Sequence, residues 1–113
     1  MITVSIVLAM ICFSDVCHPA LIGKNTPLGE YEIVHKITND PGYGGDVLVF
    51  HETEKVEFAI HRPWLLRPEQ KRLVRLASDK PKDRIITAGC INVSEEVYEQ
   101  LVECCSNEKI VIK

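Results

Sequence analysis

Cys90 and His61 are the residues of this chain whose types and placement could do covalent chemistry. Cys90 sits in RIITAGCINVSEEVYEQL, residues 84–101, directly after Gly89 and just ahead of a run with the marks of a helix start. His61 closes the apolar stretch FAIH upstream. A cysteine attacks carbonyls as the thiolate, and a free thiol with a pKa of about 8.5 offers little thiolate at neutral pH. An imidazole within hydrogen-bond distance supplies the missing base. Glycine before the cysteine lets the backbone turn sharply, so that the N–H groups of Gly89 and Cys90 can face an oxyanion, each such donor being worth roughly 3 kcal/mol. The competing reading of the same residues is structural: Cys90 as a small buried hydrophobe and His61 as a satisfied polar residue at a strand end.

For the chemical reading to hold, a strand must deliver His61 and a loop before a helix must deliver Cys90. VLVFHE and VEFAIH are β-rich runs separated by TEK, the spacing of a hairpin, so His61 ends a strand. Scaffolds hold catalytic groups at such ends and in the loops beyond them. RIITAGC reads as an extended run, Ser94 as an N-cap with Glu95 and Glu96 in the first turn, and Val97, Leu101 and Cys105 as one buried stripe. RPEQKRLVRLAS predicts another helix opened by Pro68. Elsewhere the chain reads as short strands: ITVSIVLAMICF and VCHPALIG around a Ser14–Asp15 turn, EYEIVHKI before the loop DPGYGGD, and KIVIK at the end. The fold class expected is mainly β with one or two helices.

A length of 113 residues suits one domain over 1–113, and 46% apolar with 26% charged residues suits a folded globule. The net charge of −3 argues against a nucleic-acid binder. Residues 62–84 nevertheless carry eight basic residues against three acids, a segment that can attract an anion or simply face solvent. Five cysteines in no regular pattern argue against a disulfide framework, and Cys12 and Cys17 are expected as reduced thiols although a bridge across a hairpin is conceivable. MITVSIVLAMICF lacks a basic start and a small-x-small cleavage site and is too short for a bilayer span, which needs roughly 20 residues. It reads as structure, and with the cysteine usage this gives an expectation of a cytoplasmic protein, with periplasm or cell wall as the alternative. His18, His35 and His51 show no metal-ligand spacing, so neither a metal nor another cofactor is expected.

TAGCIN, taken with FAIH and with LIGKNTPLGEYEI, resembles the L,D-transpeptidase catalytic domain family, also called YkuD-like. The resemblance runs through His61, Thr87, Gly89, Cys90, Ile91 and Asn92, with Thr26, Pro27, Gly29 and Tyr31 as an earlier turn. It implies a β-sandwich or mixed sheet with a helix beside it, and a cysteine that attacks the carbonyl before the terminal D-alanine of a peptidoglycan stem tetrapeptide. The acyl-enzyme then passes to an amine, or to water in an L,D-carboxypeptidase acting on muropeptides. A non-catalytic peptidoglycan- or protein-binding module on the same fold is the other alternative. Carried over, Cys90 is the nucleophile, His61 the base and later the acid, Thr87 and Asn92 shape the turn, and carbapenems are expected inhibitors. Two departures stand out: Ala88 where many members have histidine, and a longer spacer from His61 to Thr87. Arg84, or Arg72 of the inserted segment, is a candidate grip for a substrate carboxylate, and Trp64 a candidate lining residue. Neither nucleic acid nor membrane insertion is expected.

Overall fold

The computed structural model describes residues 1–113. Its strands are β1 (Ile2–Ser5), β2 (Met10–Phe13), β3 (Val16–Pro19), β4 (Gly29–Glu32), β5 (Val34–Ile37), β6 (Asp46–Glu52), β7 (Glu57–His61), β8 (Ile91–Asn92) and β9 (Lys109–Ile112), with helices α1 (Arg72–Leu76) and α2 (Glu95–Cys105). They form one sheet in the order β3-β2-β1-β9-β4 and a second in the order β5-β6-β7-β8. The expected class, mainly β with one or two helices, is the one observed, with two helices.

Period-two alternation explains the first sheet, since Ile2, Val4, Ile11, Ile110 and Ile112 all turn to one face and are buried. The second sheet contributes Leu48, Phe50 and Ile60 to the same cluster of 19 buried residues. Helix α2 lays Val97, Tyr98, Leu101 and Cys105 into that core, and the Ser94 hydroxyl caps it by accepting from the Val97 N–H. Each large side chain so buried stabilises the fold by roughly 1.5–3 kcal/mol.

Several elements depart from the sequence expectation. The first apolar run is two strands, because a turn at residues 6–9 folds β1 onto β2, with Ala9 at φ 50° and the Ser5 hydroxyl accepting from the Leu8 N–H. EYEIVHKI crosses between sheets: β4 pairs with β9 and β5 with β6, and buried Ile33 is the crossing point. The helix from Pro68 splits into a 3-10 turn at Pro68–Gln70 and the five-residue α1, because Lys71 takes a left-handed conformation between them. RIITAGC is not a strand; a 3-10 turn at Pro81–Arg84 opens it and only Ile91–Asn92 pair, in parallel, with β7.

Cys12 and Cys17 are bridged rather than reduced, because the tight Ser14–Asp15 turn places them directly opposite in the β2–β3 ladder with Cα atoms 4.0 Å apart. Cys104 and Cys105 are bridged as well, which leaves Cys90 as the free cysteine. No helix is long and apolar enough to cross a membrane.

Arg84, a candidate grip for a substrate carboxylate, is instead a structural clamp. It is 3% exposed and donates to the carbonyls of Leu8 at 2.8 Å, Ala9 at 3.1 Å and Ser78 at 2.5 Å, fastening the β1–β2 turn to the segment before β8. Arg84→Met removes the three hydrogen bonds that this buried guanidinium donates between the β1–β2 turn and the segment before β8, and urea unfolding is expected to register a loss of about 3 kcal/mol.

Candidate active site

Strand β7 ends where the sequence places its end, at His61, and β8 runs parallel beside it. This pairing of His61 with Asn92 brings the loop carrying Cys90 alongside the end of β7. His61 and Cys90 line one open cleft of about 240 Å³, together with Tyr43, Phe58, Trp64 and Arg72.

The turn before Cys90 is held by Thr87. Its hydroxyl donates to the Cys90 carbonyl at 2.6 Å and accepts from the Gly89 N–H at 3.1 Å. The Gly89 N–H is thereby taken, whereas the Cys90 N–H has no partner within the protein, so of the two expected oxyanion donors Cys90 is the one that is free. Gly89 has φ +143°, and a Cβ there would collide with the Phe58 ring, so both conformation and space require glycine. Thr26, from the earlier motif, braces the turn from behind: its hydroxyl donates to the Gly89 carbonyl at 2.9 Å and accepts from the Gly23 N–H at 2.9 Å.

Asn92 does a different job from the one expected. It is fully buried, outside the turn, and its amide donates to His61 Nε2 at 3.3 Å while its oxygen accepts from Arg72 Nη1 at 2.6 Å. His61 Nδ1 faces the Arg62 carbonyl at 2.5 Å. A ring nitrogen facing a carbonyl must donate, so the neutral tautomer carries its proton on Nδ1 and presents Nε2 as acceptor. The Cys90 thiol donates to the Glu57 carbonyl at 3.8 Å, and no hydrogen bond joins it directly to His61.

Burial pushes the His61 pKa down from 6.5 to about 4, and the Arg72 charge works in the same direction. Burial also pushes the Cys90 thiol up, with the Arg72 charge opposing it. The resting pair is therefore neutral thiol and neutral imidazole. The unfolded chain binds a proton at His61 below about pH 6.5, while the folded chain resists it until about pH 4, so stability falls as pH drops through that window. Integrated over the shift this is about 3 kcal/mol. Unfolding free energies from denaturant titrations at pH 7 and pH 4 are expected to differ by that much more in the unaltered protein than in His61→Gln.

Sequence reasoning missed Tyr43, whose ring stands edge-on 4.5 Å from the His61 ring and 4.9 Å from the Trp64 ring. The signal was an aromatic set between Gly42 and Gly44 in a loop. Gly42, at φ +95°, lies under Trp64, where a Cβ would come within 2.6 Å of the indole. Trp64 thus both lines the cleft and packs the loop. Gln70 and Arg67, from the segment between β7 and Thr87, also reach the cleft and are not among the residues expected from the sequence.

No protein-family profile and no curated protein matches the chain by sequence. Solved structures do match. Over 99% of its length the chain superposes on an L,D-transpeptidase from Mycobacterium smegmatis with a TM-score of 0.59 at 16% identity. Over the same share it superposes on L,D-transpeptidases from Stackebrandtia nassauensis and Xylanimonas cellulosilytica, each with a TM-score of 0.62 at 12% identity. This chain has the L,D-transpeptidase fold. It spans 57%, 54% and 59% of those three chains respectively, a little over half of each. The α+β L,D-transpeptidase-like architecture expected from TAGCIN and FAIH is the one the chain adopts.

Proposed function

We propose that the chain is a cysteine-dependent enzyme of the L,D-transpeptidase type, acting on the L,D bond before the terminal D-alanine of a peptidoglycan stem tetrapeptide. The observation carrying this reading is that the one free cysteine and the strand-end histidine line the same open cleft, on the fold of L,D-transpeptidases.

In this reading His61 Nε2 leaves Asn92 and takes the Cys90 proton as sulfur bonds to the substrate carbonyl carbon. The oxygen takes the negative charge, facing the Cys90 N–H. Collapse of the tetrahedral adduct breaks the C–N bond, and His61 returns the proton to the departing D-alanine amine. The thioester is then resolved by an amine, giving a cross-link, or by water, giving a shortened stem. Carbapenems are expected to acylate the same sulfur.

Incubation of disaccharide tetrapeptide with and without an acceptor stem tests the assignment. Cross-linked dimers identify a transpeptidase, D-alanine release without dimers identifies a carboxypeptidase, and no D-alanine release under either condition contradicts the enzyme. One observation favours a binding module instead: both His61 ring nitrogens are engaged, by Arg62 and Asn92. A module would bind stem peptide without ever carrying it on Cys90.

A further inference from the structure

Arg72 belongs to the segment inserted between His61 and Thr87, and its guanidinium lies in the cleft without a counter-ion. No carboxylate is within ion-pair distance of it, and the cleft lining contains no acid. Its two hydrogen bonds go to neutral amide oxygens, Nε to Gln70 Oε1 at 2.9 Å and Nη1 to Asn92 Oδ1 at 2.6 Å. A half-buried guanidinium held by neutral acceptors keeps most of its charge available, and its planar fork suits a carboxylate. The Asn92 side chain that it holds is the one that caps His61 Nε2.

We propose that Arg72 is a carboxylate anchor whose grip on Asn92 couples occupancy of the cleft by an anion to the freedom of His61 Nε2. Arg72 fixes the Asn92 amide so that its NH₂ occupies the nitrogen that must accept the thiol proton. A substrate carboxylate competes for the same guanidinium, loosens Asn92, and uncaps the imidazole. Arg72 is thus both a substrate contact and a positioning residue, and Asn92 is the link. Arg72 and Cys90 line the same cleft, which puts the anchor and the nucleophile on one binding surface.

The inference deepens the enzymatic reading and takes over its cleft and nucleophile, but its test needs no turnover. Cys90 is alkylated with iodoacetate, an anion, and with iodoacetamide, its neutral counterpart. The ratio of the two rates cancels differences in thiol reactivity and reports anion attraction. Relative to a small free thiol, the unaltered protein is expected to favour iodoacetate by roughly tenfold. Arg72→Gln is expected to remove most of the preference, the remainder coming from Arg67 in the same cleft, and Arg72→Lys to retain a larger part of it. In Arg72→Gln the ¹⁵N resonance of His61 Nε2 is expected to move toward that of an imidazole nitrogen without a donor, and the same shift is expected in Asn92→Ala. An unchanged rate ratio in Arg72→Gln overturns the anchor, and an unmoved Nε2 resonance overturns the coupling. Should both effects occur in a chain that processes no stem tetrapeptide, the enzymatic reading fails and the anion site stands.

Discussion

His61→Ala is expected to lower turnover of a stem tetrapeptide by about a thousandfold while leaving a folded protein. General acid–base catalysis contributes roughly 10²–10⁴-fold, and His61 would serve twice, in removing the thiol proton and in protonating the departing amine. Its buried position keeps the imidazole neutral, with a pKa of about 4, so the base form is present throughout the neutral range. The substitution also leaves the Asn92 amide and the Arg62 carbonyl without their partner, so a modest loss of stability accompanies the loss of turnover. Circular dichroism separates the two effects. Retained turnover in a folded His61→Ala protein removes the imidazole from the mechanism.

The second large effect is on the pH dependence of Cys90 itself. Where a cysteine and histidine rest as thiolate and imidazolium, alkylation is fast and nearly flat across the neutral range. Here burial raises the thiol pKa, and the imidazole protonates only near pH 4, so the charged pair does not form at rest. The rate of alkylation by iodoacetamide is therefore expected to rise about tenfold per pH unit from pH 6 to pH 9, in proportion to the thiolate. Stopped-time mass spectrometry follows this on one thiol, since the other four cysteines are bridged. A plateau from pH 5 to pH 8 would mean that the resting site is an ion pair and that the burial argument is wrong. A thiol that reacts only after unfolding would support the structural reading of Cys90.

The parts of the site fixed by local rules were legible in the sequence. Alternation carried β7 to His61, the Ser94 hydroxyl capped α2, and spacing buried Val97, Leu101 and Cys105. Local rules failed where a long-range partner decides. Nothing in EYEIVHKI reveals that Ile33 divides it between two sheets, because both halves carry strand composition and only the pairing with β9 and β6 separates them. The turn at residues 6–9 lacks the usual Gly or Pro and depends on the Ser5 hydroxyl and a left-handed Ala9. Arginine type alone cannot separate Arg84, clamped on three carbonyls, from Arg72, left with unspent charge in the cleft. Asn92 was found by its place in a motif, and its link from Arg72 to His61 emerged only from the packing.

The central claim is that the Cys90 sulfur becomes acylated in the open cleft. Intact-protein mass spectrometry after incubation with disaccharide tetrapeptide, and in parallel with a carbapenem, measures this directly. A mass increase equal to the substrate less D-alanine is expected in the first case and to one carbapenem in the second, both mapped to Cys90 and both lost in Cys90→Ala. A protein that binds either compound yet keeps its original mass, or acquires the same adduct in Cys90→Ala, would contradict it.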